Sequence, residues 1–264
     1  MDTETTEASF DGAEALSAIL MADDVAASLW SAIDSGRIDP LVPELAALRM
    51  EQDPIHRHKD VLSHTVAVVA KTPDDEIVRL AALFHDIAKP QTRSFEHGGV
   101  TFRHHEVVGG RVTKKRMTAL GYPEDMVADV SELVRMSGRF KGYADGWSDG
   151  AVRRYARDAG PLLGRLNSLI RSDCTTRNKA KAQRIQEWID DLERRIAELA
   201  EEDRRAAERP QIDGAAVMAH LGIEPGREVG QIMKWLLELK RSEGVLDEAD
   251  LLARLDAFYA DLTA

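Results

Sequence analysis

The chain has a single cysteine, Cys174, among 264 residues. One thiol excludes an internal disulfide framework and fits a reducing, cytoplasmic setting. Long apolar runs are lacking too. None approaches the roughly 18 residues that a membrane-spanning helix needs, so no membrane partner is expected. The opening residues, MDTETTEASFDG, are acidic and hold no apolar stretch, so a signal peptide is not expected there. Aromatic residues are scarce at 5%, whereas Ala, Leu, Arg and Glu abound, a mixture that favours helix over sheet. Positive charge is in deficit, with 35 Lys and Arg against 46 Asp and Glu and a net charge of −11. That argues against a general nucleic-acid coat protein and leaves room for a local basic site.

Hydrophobic residues make up 44% of the chain, and its length suffices for one large domain or two small ones. Residues 1–24 carry seven acids and no Lys or Arg, and the first dozen are expected to be disordered. KDVLSHTVAVVAKTP reads as a helix capped by Asp60 and ending near Pro73. Thr72 is then placed as the cap of the next helix, with Pro73 at its first position and Asp75 in its first turn. That helix is expected to run to Lys89, where Pro90 stops it. QTRSFEHGGVTF reads as a loop with a turn at Gly98 and Gly99.

Helices follow from HHEVVGG to Gly121 and from Pro123 to about Met136. The Gly-rich stretch GRFKGYADGWSDG, residues 138–150, is long enough to suspect a role. Short helices are expected over 150–159 and 161–172, a long charged helix over 176–208, and two or three more over 212–264. The long helix carries an apolar stripe of Ile185, Trp188, Ile189, Leu192, Ile196 and Leu199, read as a packing face. No convincing strand series is present, and the expected class is all-α.

Seven of the eight histidines lie between residues 56 and 105. In LFHDIAKP, residues 83–90, His85 and Asp86 interrupt an otherwise apolar helical pattern. Burying two polar groups there costs a few kcal/mol unless each finds a partner. Taken singly, His64 and His85 read as packed rings, Asp86 as a buried hydrogen-bonding group and Asp173 as a helix cap. Taken together they offer two imidazoles and two carboxylates from three helices. Such a mixed nitrogen and oxygen set suits Mn, Fe, Ni, Co, Zn or Mg.

His64, His85–Asp86 and Asp173 match the H…HD…D pattern of the HD superfamily of metal-dependent phosphohydrolases. The wider segments RMEQDPIHRHKDVLSHTVAVV, LAALFHDIAKP, FRHHEVVGG, AVRRYARDAGPLL and RSDCTTRNK resemble the C-terminal half of actinobacterial CCA-adding tRNA nucleotidyltransferases. The resemblance spans about residues 25–260. It implies neck-like helices over 25–55, an HD domain over 56–175 and a helical body over 176–264, behind the acidic, partly disordered 1–24. That family's catalytic head, with a Gly-rich loop and strand-borne carboxylates, has no counterpart here, so no nucleotide addition is expected from this chain alone.

Position by position, the resemblance implies one divalent ion, of open identity, on His64, His85, Asp86 and Asp173. It gives catalytic roles to Asp86, Lys89 and His105: Asp86 orients the attacking water, and Lys89 and His105 neutralise charge growing on the phosphoryl oxygens. Ser137 and Lys141 stand where related sequences carry histidines, so one ion rather than two is expected. The implied partner is a phosphate-bearing small molecule or an RNA end.

A binding module is the rival reading. Residues 153–184 hold nine Arg or Lys and two acids, and the long helix begins basic and becomes acidic. That order opposes the helix dipole by roughly 0.3–1 kcal/mol per cation, which points to an outside anion. RNA phosphate or tRNA at Arg153, Arg154, Arg177, Lys179 and Lys181 is the expectation on this reading; the bland reading is a solvated face that happens to be basic.

Overall fold

The structure is a computed structural model that describes residues 11–50, 60–96 and 99–264. The chain divides into two compact units, Met1–Ile196 and Ala197–Ala264.

In the first unit the helices are α1 (Gly12–Leu20), α2 (Val25–Asp34), α3 (Val61–Val69), α4 (Glu76–Phe84), α5 (Lys89–Thr92), α6 (His105–Leu120), α7 (Glu124–Met136), α8 (Asp149–Ala159) and α9 (Leu163–Asp173). A hairpin of β1 (Arg93–Glu96) and β2 (Gly99–Phe102) lies between α5 and α6. Helix α10 (Lys179–Ala207) runs across the boundary between the units. Helices α11 (Gly214–Leu221), α12 (Arg227–Glu243) and α13 (Glu248–Thr263) complete the second unit.

Local sequence sets most helix starts. The side chains of Asp11, Asp24, Asp60 and Asp75 each accept a hydrogen bond from the backbone N–H three residues on. Each satisfies an N–H that has no partner within its own helix. Helix α4 is the centre of the first unit. Val78, Leu80, Ala81, Ala82, Leu83 and Phe84 are all buried, and the helix packs on α3, α7 and α9. A helix that is apolar all round belongs inside the core. Gly110 lets α6 lie close on α7, since a Cβ there would meet the Ser131 carbonyl oxygen at 2.9 Å.

Three expectations change. Asp75, not Thr72, caps α4; the Thr72 hydroxyl instead donates to the Val69 carbonyl, closing the end of α3. Helix α4 stops at Phe84 rather than at Lys89, with His85 as its C-terminal cap, and Pro90 lies inside the short α5, where a missing N–H costs nothing. The segment read as a loop after Pro90 forms the β1–β2 hairpin, antiparallel, with Ser94 paired to Thr101 by a 2.7 Å hydroxyl hydrogen bond. Its strands are four residues each and Phe95 is 73% exposed, so no buried alternation marked them in the sequence. In the acidic N-terminal segment, residues 12–20 form α1 and bury Leu16 and Leu20. Residues 1–10, EQDPIHRHK (51–59) and the His97–Gly98 part of the expected turn lie outside the described residues.

In the second unit Val217, Ile232, Leu236, Leu251 and Leu255 form the core. Trp235 stacks on Phe258, ring centroids 4.3 Å apart, so it packs within the unit. No described helix is long and apolar enough to cross a membrane.

Candidate metal centre

Helix α3 carries His64, the end of α4 carries His85 and Asp86, and the end of α9 carries Asp173. Because α3, α4 and α9 pack on one another, the four tips converge. His64 Nε2 lies 2.9 Å from Asp173 Oδ1, 3.6 Å from Asp86 Oδ2 and 3.3 Å from His85 Nε2. His85 Nε2 lies 3.2 Å from Asp86 Oδ2 and 3.7 Å from Asp173 Oδ1.

The outer nitrogens are fixed. His85 Nδ1 donates to the Ala82 carbonyl at 2.7 Å, and His64 Nδ1 meets the Thr175 hydroxyl at 2.9 Å. Each ring therefore presents Nε2 to the cluster, the orientation that a carbonyl or hydroxyl partner gives a metal-binding imidazole. Two facing Nε2 atoms beside two carboxylates fit a cation between them. Ligand atoms around one ion with bonds of about 2.0–2.3 Å stand roughly 2.8–3.7 Å apart, and the His64, His85 and Asp173 atoms, at 2.9, 3.3 and 3.7 Å from one another, fall within that spread. The residues fit a divalent ion, and His64, His85 and Asp173 can hold one.

His64, His85 and Asp86 are buried, whereas the Asp173 side chain is 47% exposed, so the cluster opens to solvent on that side. It sits in a cleft of about 440 Å³ whose lining also includes Lys89, Phe102, His105, Ser137 and Lys141. Lys89 Nζ is 2.7 Å from Asp86 Oδ2 and lies over the Phe102 ring. His104 has φ 60°, the one described non-glycine residue with positive φ, and it turns β2 into α6. That bend brings His105 Nε2 to 3.5 Å from Asp86 Oδ1 while its Nδ1 donates to the Phe102 carbonyl at 2.7 Å.

The electrostatics follow from burial and pairing. For Asp86, burial pushes the carboxyl up, but the charges of His85 and Lys89 outweigh it and hold the group well below the usual range. For Asp173, burial is likewise opposed by the His64 hydrogen bond and the His85 charge, and the net shift is downward. For His85, burial lowers the value, but the Asp86 charge and hydrogen bond and the Asp173 charge raise it to about 9. Burial lowers His105 below its ordinary value.

These shifts set a pH dependence. A divalent ion must displace the His85 proton, so its apparent affinity is expected to rise about tenfold per pH unit between pH 6.5 and 9, then level off. The metal-free protein should do the reverse. The raised His85 value contributes stability that is full below pH 6.5 and lost as pH rises through about 9. Metal competition titrations and thermal melts across that window check both signs. An affinity independent of pH would count against His85 as a ligand.

Residues 59–261 match the HD domain family. The chain belongs to the HD-domain family. It is 32% identical over 238 residues to the A-adding tRNA nucleotidyltransferase of Deinococcus radiodurans, covering 85% of this chain and 52% of that protein. It is 31% identical over 235 residues to the CC-adding tRNA nucleotidyltransferase of Thermus thermophilus, covering 85% of this chain and 51% of that protein. The chain thus spans about half the length of the curated relatives it matches.

The HD domain gathers His64, His85, Asp86, Lys89, His105 and Asp173 in one cleft with Ser137 and Lys141. The 138–150 loop does not fold away from it. Lys141 Nζ pairs with Glu106 Oε1 at 2.6 Å, while the Ser137 hydroxyl is turned to the Val134 carbonyl. The five basic residues singled out for RNA are elsewhere. Arg154, Arg177, Lys179 and Lys181 are exposed, Arg153 is half-buried, and none lines the cleft. Sequence reasoning missed Thr175 and Glu106. Both lie one or two residues from a singled-out position, Asp173 and His105, and that adjacency was the available signal.

Proposed function

We propose that the protein is a metal-dependent phosphohydrolase acting on a nucleotide, a cyclic phosphate or an RNA end. The observation that carries this is the placing of a two-His, two-Asp cluster beside Lys89, His105 and Lys141 in one solvent-open cleft. A bound divalent ion supplies Lewis acidity and lowers the pKa of water near phosphorus. His64, His85, Asp86 and Asp173 would hold it, one ion rather than two, because Ser137 and Lys141 line the cleft in place of further imidazoles.

The chain's own groups do the rest. Asp86 stays a carboxylate at neutral pH and so accepts from and orients the attacking water. Lys89 and Lys141 face the charge that grows on the phosphoryl oxygens. The role assigned to His105 shifts: its Nδ1–H is committed to the Phe102 carbonyl and burial lowers its pKa, so Nε2 faces the cleft as a neutral acceptor rather than as a cation that offsets phosphoryl charge. A panel of phosphomonoesters and phosphodiesters is expected to reveal hydrolysis that disappears with EDTA and returns with a divalent ion. Activity unaffected by EDTA would overturn the reading.

A second reading, a tRNA-binding module without catalysis, is favoured by the tRNA nucleotidyltransferase relatives and by exposed Arg154, Arg177, Lys179 and Lys181. On that reading the chain binds tRNA equally well with and without metal, through phosphate contacts that weaken with salt.

A further inference from the structure

Beside the metal cleft lies a second hollow of about 270 Å³, walled by Phe140, Tyr143, Ile170, Ile185 and Trp188. Lys141 and Asp173 line both. We propose that this hollow is a ring subsite: it holds the base of a nucleoside phosphate whose phosphoryl group lies in the metal cleft. The assignment rests on the phosphohydrolase reading and adds the substrate's recognition element to it.

Three observations support a planar ring there. The first is continuity, since the shared rim residues make the two hollows neighbouring parts of one binding region of a size usual for small-molecule sites, roughly 300–1,000 Å³. The second is the wall. Phe140, half exposed, stacks on buried Tyr143 with centroids 5.4 Å apart and planes 16° apart, and the Tyr143 hydroxyl is anchored to Asp191 Oδ2 at 2.6 Å. Anchored aromatic walls suit stacking, which every base can provide. The third is an incomplete stripe. On α10 the apolar positions Ile189 and Leu192 are buried, but Ile185 and Trp188, one turn earlier, stay half exposed and face the hollow. A packing helix covers such positions; here they are left for something else.

Charge sets the orientation. The Lys141 side chain is 70% exposed, and its ammonium can exchange Glu106 for a phosphate oxygen. Asp173 on the same rim repels a phosphate unless a cation neutralises it, so the ring end alone carries affinity in the metal-free protein.

The test uses the full chain loaded with Mn, with binding followed by calorimetry. The four ribonucleoside monophosphates are compared with ribose 5-phosphate, which has no base. Nucleoside monophosphates are expected to bind about 10- to 100-fold tighter, the factor that stacking of one base provides. Trp188→Ala should erase that advantage and leave ribose 5-phosphate unchanged. Ala144→Trp, which fills the hollow from an exposed position, should do the same and guards against a folding defect at 188. Equal affinity for both ligand types, or variants that weaken both alike, would overturn the subsite. A short oligoribonucleotide that competes as well as a mononucleotide assigns the base to an RNA terminus, and failure to compete assigns it to a free nucleotide. Base-dependent binding without turnover of any phosphate ester leaves the subsite standing and removes the hydrolase reading. Turnover of ribose phosphate and nucleotides with one kcat/KM does the opposite.

Discussion

Asp86→Ala is expected to abolish metal-dependent hydrolysis and to lower bound metal from about one ion per chain to nearly none. Asp86 touches more of the centre than any other residue. Its Oδ2 lies 3.2 Å from His85 Nε2, 3.6 Å from His64 Nε2 and 2.7 Å from Lys89 Nζ, and its Oδ1 lies 3.5 Å from His105 Nε2. Losing a group that only orients a metal ligand costs about 10- to 100-fold in affinity or activity, and a ligand that also orients water should cost more.

The same change strips the counter-ion from Lys89, which is 7% exposed. A buried charge left without its partner destabilises a fold by about 3–5 kcal/mol. Asp86→Asn keeps the shape but, being neutral, leaves Lys89 without its counter-ion as well; Lys89→Met on the Asp86→Ala background separates the two effects, since it should recover stability without recovering metal. Elemental analysis and thermal melts of these variants read the outcome. Full metal content in Asp86→Asn would remove Asp86 from the ligand set.

Phe84→Ala should destabilise the protein by about 3–5 kcal/mol, the range for emptying a large buried aromatic site. The ring is fully buried at the last position of α4. Removing it opens a cavity where α4 meets the turn that carries His85 and Asp86. For a chain of this size each kcal/mol corresponds to about 2–4 °C, so the melting temperature should fall by roughly 6–20 °C. Because the cavity adjoins the metal-bearing turn, the loss should be partly recovered by saturating divalent ion, which binds only the native arrangement. A drop of a degree or two would mean that neighbouring side chains collapse into the space.

Much of this architecture is legible in local chemistry. Asp60 before VLSHTVAVV marks the start of α3 because a carboxylate there satisfies a free N–H, and the structure caps α3 that way. Gly121 ends α6 with φ 89°, a conformation that a side chain would resist. The i, i+3, i+4 stripe in 185–199 marks α10 as amphipathic. The placement of His85 and Asp86 inside an apolar run points to a polar cluster, because burying them alone is unfavourable.

Other features depend on contacts between distant segments. Helix α4 and the hairpin show the limit most clearly. Periodicity and Pro90 predicted a helix continuing to Lys89, yet it breaks at His85, so that Nε2 of that ring and the Asp86 carboxylate reach His64 and Asp173. That break gains its stability from groups 21 and more than 80 residues away, which no local window contains. The hairpin strands lacked a buried face, and so lacked the alternation that would have signalled them. His105 needed the left-handed turn at His104 to point inward. Ile185 and Trp188 read as packing in the sequence and remain half open in the fold, because what covers a helix face is decided by its neighbours. Local chemistry marks most of the helices, several of their caps and the residue types able to hold an ion. The tertiary structure alone decided which of those residues meet, since convergence of side chains from α3, α4 and α9 depends on how those helices cross and pack.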